Sequence, residues 1–243
     1  MGVLSISIVI LFTCMIFIEQ IGIIANVAGR LTKKVSQGLS FEHATFTLSR
    51  IPLPFILFLI AYSIETGVLL KDFVFLCALM TFIVFIVLLS SIFLVNPIQK
   101  FYQKIIFYHL SKTLPMSVLY AFFKKSDRKL FEFKSRFSYR FLESKKVLVA
   151  TFAYLLLGSA FLFSFSIAIK FIEYRLSISQ LTTVFQGLAS LITSFYINPM
   201  FSRSIDNKDT NEFWTRNLYS ILVARIIAFL ISSMLFTFLY LTL

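Results

Sequence analysis

One continuous segment organises the chain: residues 16–51 read IFIEQIGIIANVAGRLTKKVSQGLSFEHATFTLSRI. Glu19 lies inside the first apolar run of this segment and Arg50 lies inside the second, with a basic loop between the two runs. Ionisable groups within a bilayer cost roughly 2.5–3.5 kcal/mol each on insertion scales, and they usually face a protein interior or a wet cavity. These two residues are therefore the first candidates for function.

The composition of the whole chain is that of a membrane protein. Of its 243 residues, 58% are hydrophobic and 14% are charged, whereas about 25% of the residues in soluble domains are charged. We therefore predict an all-α polytopic membrane protein in which residues 1–243 form a single integral membrane domain. The N-terminal apolar run has no basic leader and no small-residue cleavage site, so we expect an uncleaved first span.

A transmembrane helix needs about 20 mostly apolar residues. Applied to this chain, that length predicts six spans: Val3–Ala25, His43–Ile64, Phe73–Val95, Val147–Phe171, Ile178–Phe201 and Leu218–Leu241. Lys and Arg are concentrated in three loops: three residues in Arg30–Lys34, twelve between Lys100 and Lys146, and three more at Arg203, Lys208 and Arg216. By the positive-inside rule these loops are cytoplasmic and both termini lie outside.

The longest loop, residues 96–146, alternates aromatic and basic side chains. Their spacing predicts one or two amphipathic helices on the cytoplasmic membrane surface, broken near Pro115. Such a surface attracts anionic membrane lipids by about 1 kcal/mol per basic residue. The alternative is a loop that only sets the topology. We do not expect nucleic-acid binding, because the membrane already supplies an anionic surface beside this loop.

Three charged residues are predicted to share one layer of the membrane. Counted along their spans, Glu19, Arg50 and Arg225 fall roughly 5 to 8 Å to the cytoplasmic side of the midplane. One carboxylate and two guanidinium groups leave one net positive charge, which suits a phosphate or pyrophosphate. Asn26 and His43, each seven residues from one of these charges, add hydrogen-bonding groups to the same helical faces.

Structural roles for these charges stay open. Arg50 and Arg225 could snorkel to the cytoplasmic interface, and Glu19 could serve only as a buried ion-pair partner. His43, near a helix start, could be an interfacial residue.

The fifth predicted span is polar along one face. Its polar and small residues recur every three or four positions: Thr183, Gln186, Gly187, Ser190, Ser194 and Asn198. In lipid such a stripe must face protein or water, so it either lines an aqueous cavity or forms an interhelical packing seam. Because a packing seam is the commoner outcome for Ser and Thr, Gln186 and Asn198 are the stronger candidates for a functional role.

Short motifs near the two ends of the chain carry a family resemblance. They are Ile18-Glu19, Val27-Ala28-Gly29-Arg30, Thr32-Lys33, Ser40-Phe41, Leu48-Ser49-Arg50, Phe195-Tyr196-Ile197-Asn198-Pro199-Met200-Phe201-Ser202 and Ala224-Arg225. In these motifs the first and last fifty residues resemble the Amj family of alternate lipid II flippases. Asn198 departs from that pattern, in which an acidic residue precedes the proline.

The resemblance implies a flippase in a bacterial cytoplasmic membrane. Its substrate would be an undecaprenyl-pyrophosphate-linked sugar, lipid II or a similar cell-envelope precursor, moved from the inner to the outer leaflet. Arg50 and Arg225 would hold the pyrophosphate, Glu19 would compete for those cations, and Gln186, Ser190 and Asn198 would bind sugar.

Other functional classes have less support in the sequence. The chain has only two His residues, and the sequence shows no metal-ligand spacing, hydrolase motif or ATP-binding glycine-rich loop. We therefore expect neither an enzyme nor a bound cofactor. The alternatives that stay open are a secondary transporter of a small anion and a non-transporting scaffold whose basic loop recruits partners.

Overall fold

The structure is a computed structural model of the full chain, and it describes residues 2–124, 130–132, 142–200 and 211–243. The described residues form helices and no β-strand. The helices are α1 (Val3–Leu31), α2 (Val35–Ser49), α3 (Pro52–Glu65), α4 (Leu70–Phe93), α5 (Val95–His109), α6 (Leu114–Phe123), α7 (Ser144–Gly158), α8 (Ala160–Lys170), α9 (Arg175–Ile192) and α10 (Asn211–Thr242). A short 3₁₀ turn, Ile172–Tyr174, precedes α9, and a π-helical turn, Thr193–Ile197, follows it.

Several helices are long and apolar enough to cross a membrane. Among the described residues, four stretches qualify, namely Val3–Leu31, Val35–Glu65, Leu70–Phe93 and Trp214–Thr242, and the bent pair α7 and α8 makes a fifth. The fifth predicted span, Ile178–Phe201, falls largely on α9, which is not among them. The polar face of α9 lowers its hydropathy, so its passage through the membrane stays a prediction.

The helix boundaries on both sides of the first basic loop differ from those predicted. The first helix continues to Leu31, past the expected end at Ala25, and the second begins at Val35 rather than at His43. Residues 25–29 are buried by other helices, so protein rather than lipid surrounds this end of α1. A window that counts apolar residues therefore underestimates the length of both helices.

Two predicted spans are divided into pairs of helices. The second span breaks at Arg50 and Ile51, where Pro52 begins α3, because proline has no N–H to continue the helical hydrogen bonds. The fourth span bends by 46° between α7 and α8. Gly158 lies at this bend against the ring of Phe229, and a Cβ there would come 2.6 Å from that ring.

The long loop contains two helices in its described part, residues 96–124, 130–132 and 142–146. The first, α5, buries Tyr102, Ile105 and Ile106 in an apolar cluster with α1, α2 and α6. The second, α6, has Pro115 in its first turn and leaves Phe122 and Phe123 exposed. Contact of these helices with the membrane surface stays a prediction.

The apolar core is divided into two main clusters by a polar layer. The first cluster joins α1, α3, α4, α8 and the C-terminal half of α10. The second joins the following part of α1 to α7 and the N-terminal half of α10. Glu19 lies in α1 between Ile16 of the first cluster and Ile23 of the second. Glu19 thus lies at the boundary between the two apolar clusters.

Candidate functional site

A close contact between two glycines sets the register of α1 against α2. A Cβ on Gly29 would lie 2.7 Å from the Cα of Gly38, so the two backbones touch there. The turn that connects the two helices lies between these glycines in the chain, and it contains Lys33 in a left-handed conformation with φ of 57°. From the glycine contact toward Glu19, the facing pairs on the two antiparallel helices are Asn26 with Glu42, Gly22 with Thr45, and Glu19 with Ser49.

Glu19 is the centre of a buried charge cluster. Its side chain is only 1% exposed, and its carboxylate lies 3.1 Å from Nε of Arg50 and 3.7 Å from Nη2 of Arg225. The hydroxyl of Ser49 also donates to it, at 3.4 Å. These ion pairs confirm that the three predicted charges lie together.

The two arginines of the cluster have different surroundings. Arg225 is 4% exposed and its guanidinium lies 4.2 Å from the ring centroid of Tyr154. Its Nη1 atom is buried and has no hydrogen-bond partner among the described residues. Arg50 is 23% exposed and lies over the ring of Phe46. Arg225 is therefore enclosed by protein, whereas Arg50 is partly exposed.

A second carboxylate, Glu42, joins the cluster and was missed from the sequence. Asn26 Nδ2 donates to Glu42 Oε2 at 2.6 Å. The predicted span began at His43 and so assigned Glu42 to a loop, but α2 begins seven residues before Glu42. A usable signal was present, because Glu42 is seven residues before Ser49 and thus lies on the same helical face.

The second carboxylate makes the charge of the cluster depend on the protonation of Glu42. With Glu42 ionised, the two guanidinium groups and the two carboxylates sum to zero. With Glu42 protonated, the cluster keeps the one net positive charge that was predicted.

The cluster opens into a cavity of about 190 Å³. Its lining comes from five parts of the chain: Glu19 and Ile23 of α1; Glu42, His43 and Phe46 of α2; Tyr154 and Leu157 of α7; Ser190, Thr193, Ser194, Ile197 and Asn198 of α9 and the residues after it; Ile221 and Arg225 of α10. A cation, two carboxylates and several hydroxyls therefore face one small space.

Five of the eight predicted site residues line this cavity, and they are Glu19, His43, Ser190, Asn198 and Arg225. The other three lie outside the lining. Asn26 is buried and bonds to Glu42, and Arg50 bonds to Glu19. Gln186 is partly buried in α9, before the part of that helix that reaches the cavity.

Helices α2 and α9 both contribute to the cavity lining. Helix α9 packs on α7 and α8, and α2 packs on α1, but α2 and α9 are not among the closely packed helix pairs of the described residues. Two aromatic side chains on these segments are exposed: Phe46 of α2 is 39% exposed, and Phe195 of the π-helical turn after α9 is 79% exposed. In a bilayer such exposed rings would face lipid.

Neighbouring polar groups hold the helices of the site in place. Gln20 donates to Ser91 of α4 at 3.2 Å and to the carbonyl of Leu222 in α10 at 3.4 Å. Tyr102 of α5 shares a hydrogen bond of 3.0 Å with Thr45 of α2. Burial raises the pKa of Tyr102 to about 12, so this phenol stays neutral at physiological pH.

Comparisons of the chain with protein-family models, with curated proteins and with solved structures find no match. Within the described residues, no group of three or more His, Cys, Asp or Glu side chains could hold a metal ion. The chemistry of the site therefore has to be argued from its own charges, hydrogen-bonding groups and shape.

Proposed function

We propose that this protein moves an anionic, lipid-linked saccharide from the inner to the outer leaflet of a bacterial cytoplasmic membrane. The substrate class is a polyprenyl-pyrophosphate-linked sugar such as lipid II. One observation carries the proposal: Arg225 lines a cavity and has a buried donor atom with no hydrogen-bond partner among the described residues. No covalent bond is made or broken in this process.

The chemistry of the cavity fits the pyrophosphate part of that substrate. A guanidinium group donates two parallel hydrogen bonds to phosphate oxygens, and Arg225 can offer its free Nη1 while Nη2 stays near Glu19. Ser190 and Asn198 add uncharged hydrogen-bonding groups to the same lining. The charged part of the substrate would thus be sheltered from hydrocarbon, where an unpaired charge is costly.

A path into the cavity between α2 and α9 would fit the lipid part. A polyprenyl tail is as apolar as the bilayer, so it can stay in lipid while the headgroup crosses. Exposed Phe46 and Phe195 on these two segments would contact that tail. The sugar would extend from the cavity along the polar face of α9, toward Gly187 and Thr183.

The membrane arrangement that we propose has six spans with both termini outside. In this arrangement α9 and its π-helical turn form the fifth span, and the basic loops and the helices α5 and α6 lie on the cytoplasmic side. The concentration of Lys and Arg in those loops supports this orientation. The charged layer then lies nearer the inner leaflet, from which the substrate is loaded.

The small size of the cavity favours a second candidate, a secondary transporter of a soluble anion. Its volume of about 190 Å³ is below the roughly 300–1,000 Å³ that is usual for pockets that enclose a whole ligand. A free phosphate or pyrophosphate would fit without protruding. A lipid-linked sugar would fit only with its glycan outside the cavity.

Reconstitution separates the two candidates. The purified chain is placed in vesicles with a fluorescent polyprenyl-pyrophosphate sugar, and the probe exposed on the outer leaflet is measured by chemical quenching. Parallel vesicles are loaded with radiolabelled pyrophosphate to measure its efflux. Protein-dependent movement of the lipid probe without efflux supports a flippase, whereas efflux alone overturns it in favour of the small-anion transporter.

Variants test whether the charged cluster carries the movement. We expect Arg225→Ala and Arg225→Lys to lose at least about tenfold in rate, because each removes the planar guanidinium fork. Arg175→Ala, at the start of α9 and outside the cavity lining, is the matched arginine control and should retain the rate. Equal rates for Arg225→Ala and the control would contradict the proposal.

A cellular test uses a bacterium depleted of its essential lipid II flippase. Growth restored by the wild-type chain and lost with Arg50→Ala or Arg225→Ala, at equal membrane levels, is the expected result for lipid II as substrate. Failure of a well-expressed wild-type chain would exclude lipid II in that host, and other lipid-linked glycans would then be compared in vesicles.

A further inference from the structure

The two carboxylates at the cavity are held by different kinds of partner. Glu19 lies within ion-pair distance of two guanidinium groups. Glu42 accepts its hydrogen bond from the uncharged amide of Asn26. Protonation of Glu42 would therefore be less unfavourable than protonation of Glu19, because a proton on Glu19 would weaken two ion pairs.

The total charge of the cluster gives a reason for a proton to bind together with an anion. The cluster is neutral when both carboxylates are ionised, so an anion that enters makes the cavity negative. In a site of low dielectric constant an uncompensated charge is costly, and the smallest compensating ion is a proton. Binding of an anion near Glu42 and binding of a proton to Glu42 therefore favour each other.

The geometry allows Glu42 to carry the proton without losing its support. A protonated carboxyl group has one O–H donor and keeps acceptor capacity on its other oxygen. Oε2 can continue to accept from Asn26 while Oε1 carries the proton. Glu42 lines the cavity together with Arg225, so an O–H there can reach an anion held by that arginine.

Several other titratable or charged groups lie around Glu42. They come from every helix that surrounds it: Glu19 of α1, His43 and Arg50 of α2, Tyr102 of α5, Tyr154 of α7 and Arg225 of α10. The arginines stay charged, and Tyr102 stays neutral because burial raises its pKa to about 12. His43 is the main competitor, because histidines as a class change charge near neutral pH.

We propose that Glu42 binds one proton from solvent together with each anionic headgroup that enters the cavity, and returns it to solvent when the headgroup leaves. In the bound state the carboxylate of Glu42 becomes a carboxylic acid that donates a hydrogen bond to a phosphate oxygen. This inference rests on the proposed binding of a pyrophosphate at Arg225, and it adds a coupled proton to that site.

The test is the pH dependence of binding to the full chain in detergent. The probe is farnesyl-pyrophosphate-linked N-acetylglucosamine, a diphosphate diester whose charge stays constant over the range used. Its dissociation constant is measured by calorimetry from about pH 5.5 to about pH 8.5, in buffers of different ionisation enthalpy so that proton uptake is counted. We expect the affinity to fall by up to about tenfold per pH unit as pH rises, with uptake of up to one proton per probe.

Variants identify the group that takes up the proton. Glu42→Gln has the shape of the protonated side chain, so we expect it to bind with the wild-type affinity of low pH and without pH dependence. His43→Gln should keep the pH dependence. Loss of the pH dependence in His43→Gln with its retention in Glu42→Gln would overturn the inference.

The same experiment distinguishes failure of the inference from failure of the proposed function. Wild-type binding that is independent of pH, with no proton uptake, overturns the coupled proton and leaves pyrophosphate binding intact. Absence of binding at every pH overturns both. Correct folding of Glu42→Gln is shown independently by its melting temperature in the same detergent.

Discussion

Replacement of Glu19 by Gln should destabilise the protein more than any other single loss of a carboxylate in the described structure. The substitution keeps the size of the side chain but removes the ion pair between Glu19 and Arg225, which is only 4% exposed. At an effective dielectric constant of about 20, a separation of 3.7 Å corresponds to about 4 to 5 kcal/mol of attraction. Because Arg225 stays desolvated, we expect the free energy of unfolding to fall by about 3–5 kcal/mol.

The assay is reversible unfolding in mixed micelles, supported by thermal melting in detergent. A loss of that size corresponds to a melting temperature roughly 6–20 °C lower in a chain of this length. Glu65→Gln, at the exposed C-terminal end of α3, is the matched control and should change the free energy of unfolding by less than about 0.5 kcal/mol. Loss of the ion pair with Arg50 contributes less to this decrease in stability, because Arg50 is 23% exposed and can turn toward water.

A double variant separates electrostatics from packing. If the cost of Glu19→Gln comes from an unpaired guanidinium, then adding Arg225→Gln should recover part of the lost stability, with a coupling energy of about 0.5–3 kcal/mol. A double variant as unstable as the sum of its two single variants would refute the ion-pair argument. So would a Glu19→Gln protein as stable as the Glu65→Gln control.

Two further substitutions test the packing around the site. Gly29→Ala should lower the melting temperature and the transport rate together, because its new Cβ would lie 2.7 Å from the backbone of Gly38 and the helices must separate at a cost of about 1–3 kcal/mol. Gly187→Ala, with nothing within 4 Å of the new Cβ, is the control for the melting temperature alone, which it should leave unchanged or raise. Equal losses of melting temperature in the two variants would contradict this contact. Tyr154→Leu should lower the free energy of unfolding by about 0.5–2 kcal/mol more than Tyr154→Phe, because only phenylalanine keeps a ring beside the guanidinium of Arg225. Equal stability of the two variants would argue against the cation–π contact.

Much of the helical architecture follows from hydropathy alone. The apolar runs that contain α1, α4 and α10 are long and uninterrupted, and the structure has one long helix in each. Counting depth along three spans was enough to predict that Glu19, Arg50 and Arg225 lie together. This works because the rise of an α-helix is constant, so position in the sequence translates directly into depth.

Hydropathy was a poor guide where protein, rather than lipid, surrounds a helix. Glu42 was assigned to a loop because a charged residue ends an apolar window. In the structure it is a partly buried helical residue whose carboxylate is supported by a hydrogen bond from Asn26. Gln186 was selected for its chemistry, but its distance along α9 from the cavity depends on how α9 packs on α7. Pro52 did carry a readable signal for the break in the second span, since proline ends the hydrogen-bonding pattern of the preceding helix.

The π-helical turn Thr193–Ile197 determines which side chains after it can face the cavity. In an uninterrupted α-helix, Asn198 would be rotated by about 80° from Ser190 around the helix axis. The turn accommodates one extra residue, which reduces this offset to about 20° and brings both side chains to the cavity lining. Deletion of one residue from the turn would therefore rotate the rest of the helix about its axis. The helix could continue, but every side chain after the deletion would point about 100° away from its present direction.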